Sequence, residues 1–301
     1  MKGNAIYTIA ETEVIVGVRN KWTHIFTLIF TILVLGISYF GLSASGYTGS
    51  MQDFSRTTLS LLNLVLYIIP LVSLVIGVIS FSSDGRFNEL IFAQPLNRWE
   101  IYIGKLLGLM IIIFSSMALG FGISGFIILF RVGSEGVFRY FVFVLLSNLL
   151  AFIFLGISAF ISALAKQRGR AFGISILVWF TFLIFYDLVI IGATTLLRGK
   201  LAAKFAMISL LGNPVDIVRV LSLITLNSPE IFGPAGAAFL KFLGGSLQAY
   251  VVLILVLLLW FIFSVFLAVK IFFKTRHNLK QICGGENEEG NFYLNKFGFH
   301  T

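Results

Sequence analysis

The chain has 301 residues, 58% of them hydrophobic and 12% charged, with a mean hydropathy of +0.99 and a formal net charge of +9. So much apolar surface exceeds what a water-soluble globule can enclose, so the composition specifies an integral membrane protein. The single cysteine, Cys283, and the three histidines, His24, His277 and His300, rule out a disulfide framework and form no clustered ligand set for a structural metal. The basic residues mostly flank apolar runs, where lipid orientation accounts for them, and no nucleic-acid partner is expected.

In chain order, Ile6, Tyr7, Ala10, Val14 and Val18 share one helical face at a period of 3.6 residues, with Glu11 and Glu13 at its flanks. The segment reads either as a helix lying in the membrane interface or as a frayed lead-in. The two glutamates stand where a cleavable leader needs an apolar core, so the first span is expected to anchor the chain itself. A crossing needs about 20 mainly apolar residues. Six runs qualify, at about 22–40, 59–81, 106–130, 140–164, 171–191 and 247–269. The expected fold class is therefore an all-α integral membrane protein with six transmembrane helices. Most of the 22 basic residues lie on one side when both termini are cytoplasmic, which fixes that orientation by the positive-inside rule.

Pro70 falls inside the second run, where it removes one helical hydrogen bond; packing and gating are equally open roles. In the third run Ser116, Gly120 and Ser124 recur every fourth residue, a small-residue stripe that admits a neighbouring helix, as static packing or as a moving seam. Met110 and Met117 on that run read as packing. Asp187, near the outer end of the fifth run, reads as a hydrated interfacial acid, a polar contact between helices or part of a transport path. Between the fifth and last runs, "LAAKFAMISLLG" and "NPVDIVRVLSLITL" predict two short helices. The second has Asn213 as N-cap, Pro214 at its first position and Asp216 at its third. Neither is long enough to span, so both are expected to be re-entrant or folded back along the outer surface. There Asn213, Pro214, Asp216 and Arg219 would offer a docking face. Residues 277–301 change to a polar composition and are expected to be a disordered tail.

The chemistry of catalysis is missing from this inventory. No G-x-x-x-x-G-K-[ST] loop grips nucleotide phosphates, and neither H-E-x-x-H nor G-x-S-x-G occurs. Tyr186-Asp187 lacks the second intramembrane carboxylate that an aspartyl protease requires. The chain is expected not to be an enzyme, and any ATP-driven work must be powered by another chain.

The stretch "SSDGRFNELIFAQPLNRWEIYIGK", 82–105, separates two spans. Its first part predicts a short helix ended before Pro95, and Asn97 with Glu100 then restarts a helix as a capping pair. Arg86, Phe87, Glu89, Leu90 and Phe92 give the short helix an apolar ridge with charges on either side, suited to a groove of another protein. A plain surface loop is the alternative.

This order of elements, with Pro95, Arg98, Gly104 and Lys105 in the first cytoplasmic loop, resembles the permease subunit of ABC-2 type transporters over residues 1–276. "LVWFTFLIFYDLVIIG" and "LLGNPVDIVRVLSL" are similar to the NosY-type membrane subunit of the nitrous oxide reductase maturation transporter. The resemblance implies an inner-membrane homodimer that binds two copies of a cytoplasmic ABC ATPase and, in the narrower family, a periplasmic subunit of solenoid type. It implies no cofactor in this chain, with ATP and Mg held by the ATPase. Arg86, Phe87, Glu89, Leu90, Phe92, Pro95 and Arg98 would make the ATPase contact. The function so implied is outward transport or mechanical transmission, serving assembly of a copper-sulfur centre. A general ABC-2 exporter of a drug, lipid or other small solute is the alternative.

Overall fold

A computed structural model describes residues 2–43, 51–82, 98–132, 134–165, 167–197, 199–226 and 244–270. The predicted coupling residues Arg86, Phe87, Glu89, Leu90, Phe92 and Pro95, and the tail 277–301, lie outside the described residues. The described chain is helical throughout: α1 Lys2–Val18, α2 Lys21–Ser43, α3 Met51–Phe81, α4 Arg98–Val132 and α5 Ser134–Ala165. Then come α6 Arg168–Phe180, a π-helical segment Thr181–Phe185, α7 Tyr186–Leu196, α8 Lys200–Leu210, α9 Pro214–Thr225 and α10 Ser246–Lys270.

Among the described residues six stretches are long and apolar enough to cross a membrane, namely Lys21–Gly41, Phe54–Phe81, Trp99–Phe130, Gly136–Ala165, Arg168–Leu196 and Ser246–Lys270. Each contains one of the six predicted runs. Most of the helices extend beyond those runs because the flanking polar residues continue the backbone hydrogen-bond ladder. Lys105, Arg168 and Arg170 are in helix rather than loop, and such side chains lay their alkyl stems on apolar surface while the charge reaches for water.

The core is centred on α3 and α5, which pack along each other, with α4 against α1, α2 and α5. Phe54, Leu61, Val65 and Leu66 of α3 meet a core that includes Leu150, Ile153 and Phe154 of α5, all of them buried. An aromatic chain runs from Phe30 edge-on to Phe121 at 5.1 Å and on to Phe143 at 5.7 Å, tying α2 to α4 and α5. Lipid tails are as apolar as these side chains, so close packing and interhelical hydrogen bonds hold the helices together. The serine-glycine stripe of α4 acts in this way. Ser124 Oγ and Ser38 Oγ of α2 are 2.5 Å apart, and a Cβ on Gly120 would meet the Phe30 ring at 3.0 Å. Met117 is fully buried and Met110 packs on the same core.

Of the apolar face of α1, Ala10 is buried and Val14 packs against the core, while Tyr7 and Val18 are exposed. The side of α1 that meets Gly104 and Gly108 of α4 includes Ile6, Ile9, Ala10 and Glu13. Of the two courses expected for α9, the structure has the re-entrant one rather than one along the outer surface. Val215, Ile217, Val218 and Leu221 are fully buried, and the helix packs against α5 and α3. Its polar residues read as surface from sequence because they satisfy one another inside the protein.

Candidate functional site

The π-helical segment widens one turn of the fifth span. The Tyr186 N–H donates to the Thr181 carbonyl, five residues back, in place of the four-residue step of an α-helix. The neighbouring Phe182 carbonyl receives Asn213 Nδ2 at 2.8 Å. Asn213 also caps α9, its Oδ1 accepting from the Val215 N–H at 3.0 Å, and its Nδ2 donates to Asp216 Oδ2 at 2.8 Å. Arg219 Nη1 donates to Asp216 Oδ1 at 2.7 Å and stands 3.6 Å from Asp187 Oδ2. Asp187, Asn213, Asp216 and Arg219, separate in sequence, thus form one network between α7 and α9. Pro214 opens α9 from a buried position.

The break between α8 and α9, where the chain turns by 100°, is held from two other helices. Tyr186 Oη donates to the Ser209 carbonyl, and Trp260 Nε1 of α10 donates to the Leu211 carbonyl at 3.1 Å. A helix end inside a bundle leaves carbonyls that need donors, and here the fifth and last spans provide them.

This geometry narrows the predicted docking face. Asn213, Pro214 and Asp216 are turned into the protein, and of the four only Arg219 retains partial exposure. The reason is chemical: each buried polar atom finds a partner within the network. Asp187, more than a third exposed, stands 3.6 Å from Arg219 across α7 and α9.

Pro70 is buried inside α3, which continues unbroken from Met51 to Phe81. Trp179 Nε1 of α6 donates to the Tyr67 carbonyl at 3.0 Å, in the turn that Pro70 deprives of an N–H. That bond, one residue on from the Leu66 carbonyl that Pro70 leaves without its helical donor, joins the second and fifth spans.

At the other end of the bundle α4 begins at Arg98, directly after the predicted cap, and runs to Val132. Gly104 and Gly108 let α1 cross it closely. A Cβ on Gly104 would lie 2.9 Å from the Ile6 carbonyl oxygen, and one on Gly108 2.8 Å from that of Ala10. Gly17 of α1 sits on Ile112 in the same manner. Ser80 of α3 donates to Glu13 Oε1, so α1 is joined to α3 as well.

The family described as ABC-2 family transporter protein matches residues 7–278. The chain belongs to the ABC-2 transporter family. It is 32% identical over 278 residues to a protein of Stutzerimonas stutzeri named "Probable ABC transporter permease protein NosY", covering 89% of this chain and 98% of that one. A protein of Pseudomonas aeruginosa with the same name is 30% identical over 226 residues, covering 72% of this chain and 81% of its own length. The chain is thus an ABC-2 permease similar to NosY proteins. The sequence reading passed over Glu13, Ser80, Trp179 and Trp260 as parts of this ABC-2 permease's joints. Glu13 and Lys105, opposite charges at the margins of apolar segments, were the one available signal.

Proposed function

We propose that this chain is the transmembrane subunit through which a separate cytoplasmic ATPase drives work across the inner membrane, as outward transport or mechanical transmission. The likeness to NosY permeases supports maturation of the copper-sulfur centre of nitrous oxide reductase as the setting. The assembly so proposed holds two copies of this chain, two ATPases with ATP and Mg, and a periplasmic solenoid-type subunit, with both termini of this chain cytoplasmic. Residues 1–276 form its permease domain.

One observation supports the coupling role: α4 runs without interruption from Arg98 to Val132, so a force delivered at its start acts on the whole third span. α1 is seated closely on Gly104 and Gly108, so a displacement of α4 would carry α1 with it. The chain lacks a phosphate loop, so energy must arrive through such a contact. Phe87 and Leu90 are the proposed anchors in the ATPase groove, with Arg98 at the rim.

The test is co-purification of the ATPase with a Phe87→Ala/Leu90→Ala variant, followed by its hydrolysis rate with and without permease. Two buried anchors contribute on the order of 2 kcal/mol or more, so binding should fall at least about thirtyfold. Retention of both the ATPase and its stimulation would reduce the stretch to a surface loop.

A further inference from the structure

A cavity of about 260 Å³ opens where α1, α2, α3, α4 and α6 converge, lined on its polar side by Glu13, Asn20, Thr23, Ser80, Lys105 and Arg168. Lys105 is the unusual member. Its side chain is nine-tenths buried, yet the nearest carboxylate oxygen, Glu13 Oε2, stands at 3.9 Å. That exceeds the roughly 2.7–2.9 Å of a charge-assisted hydrogen bond. Its other neighbour is the Phe81 ring, 5.8 Å from Nζ to centroid. Among the described residues the ammonium has no hydrogen-bond acceptor, while Glu13 already accepts from Ser80. A buried cation in that condition is costly unless something polar enters beside it.

We propose that this cavity binds an anionic oxygen group, a phosphate-type anion, between Lys105 Nζ and the Arg168 guanidinium. With Glu13 counted, the pocket keeps one net positive charge, which an anion neutralises. Lys105 supplies the buried donors and Arg168, exposed at the mouth, supplies the fork that matches oxyanion geometry. The Asn20 amide and Thr23 hydroxyl add neutral polar groups, and Ile76, Leu109 and Ile112 close the apolar wall. Such a group can belong to a free cytosolic anion or to the headgroup of an anionic phospholipid. The proposal rests on the cavity alone and stands apart from the coupling role.

The experiment uses the full-length chain, first in zwitterionic detergent with inorganic phosphate titrated at constant ionic strength, reading thermal stability. It is repeated in phosphatidylcholine nanodiscs with and without phosphatidylglycerol. A saturable stabilisation by phosphate identifies a free anion as ligand, and stabilisation by phosphatidylglycerol alone identifies a headgroup. In either case Arg168→Gln should weaken the effect about tenfold or more, the loss of a charged hydrogen-bond donor. Glu13→Gln should strengthen it, because a competing negative charge is gone. Arg168 is exposed, so its variant folds whatever Lys105→Gln does. Absence of both effects, or an effect unchanged in Arg168→Gln, overturns the proposal.

Discussion

Asn213 Nδ2 reaches the main-chain carbonyl of Phe182 at 2.8 Å, across 31 residues of sequence, and so fastens a re-entrant helix to the widened turn of the fifth span. Removing that side chain takes away a helix cap, worth about 1 kcal/mol, and strips a partner from a part-buried carbonyl, worth about 1–3 kcal/mol. Asn213→Ala should therefore destabilise the permease by about 2–4 kcal/mol, seen as an earlier thermal transition in detergent. Asn213→Ser, which can cap but cannot reach Phe182, should fall between. Equal stability of both variants with the parent would remove the fastening role.

The charges beside it should be unequal in weight. Asp187 is more than a third exposed and 3.6 Å from Arg219, so Asp187→Asn is expected to cost less than about 1 kcal/mol. Arg219→Ala leaves the buried Asp216 without its guanidinium and should cost about 1–3 kcal/mol. Denaturation of the two variants side by side gives the order, and a larger loss for Asp187→Asn would contradict it.

The crossing of α1 over α4 gives a paired test. A methyl at Gly108 points at the Ala10 carbonyl, whereas one at Gly122 meets nothing within 4 Å. Gly108→Ala should cost about 1–3 kcal/mol through overpacking and disturb ATPase stimulation if α1 and α4 move together. Gly122→Ala should match the parent in both assays.

Orientation follows from labelling. In a Cys283→Ser background, Arg168→Cys should react only with cytoplasmic reagents and Leu196→Cys only from outside, since the two residues stand at opposite ends of one span and both are exposed. Asp216, outward by sequence, is buried and would not report. Labelling of both cysteines from one side would overturn the six-span arrangement.

The spans and the start of α9 were legible because hydropathy over about 20 residues and the Asn213-Pro214 cap are local signals. Asp187, Asp216 and Arg219 were likewise visible one by one. Their union was not, since nothing local says that a residue of the fifth span faces a helix beyond the next turn. Its length marked α9 as too short to span, but not which course it takes: the pairing of Asp216 with Arg219 lets its apolar side sink against α3 and α5 as a re-entrant helix rather than lie along the outer surface. The widened turn at Thr181–Phe185 has no residue signature at all, and Trp179 and Trp260 looked like ordinary apolar side chains until their indole N–H groups found carbonyls.

That turn also sets the azimuth of everything after it. Each residue of an α-helix advances about 100° around the axis, and one residue absorbed at Thr181–Phe185 puts α7 out of phase with α6 by about that angle. A helical wheel drawn straight through the fifth span therefore assigns wrong faces to its second half. Continued without the slip, the helix would swing the Asp187 carboxylate away from Arg219. Deleting a residue from the segment would thus act as a rotation of the span's second half, with its effect felt at Asp187 rather than at the point of deletion.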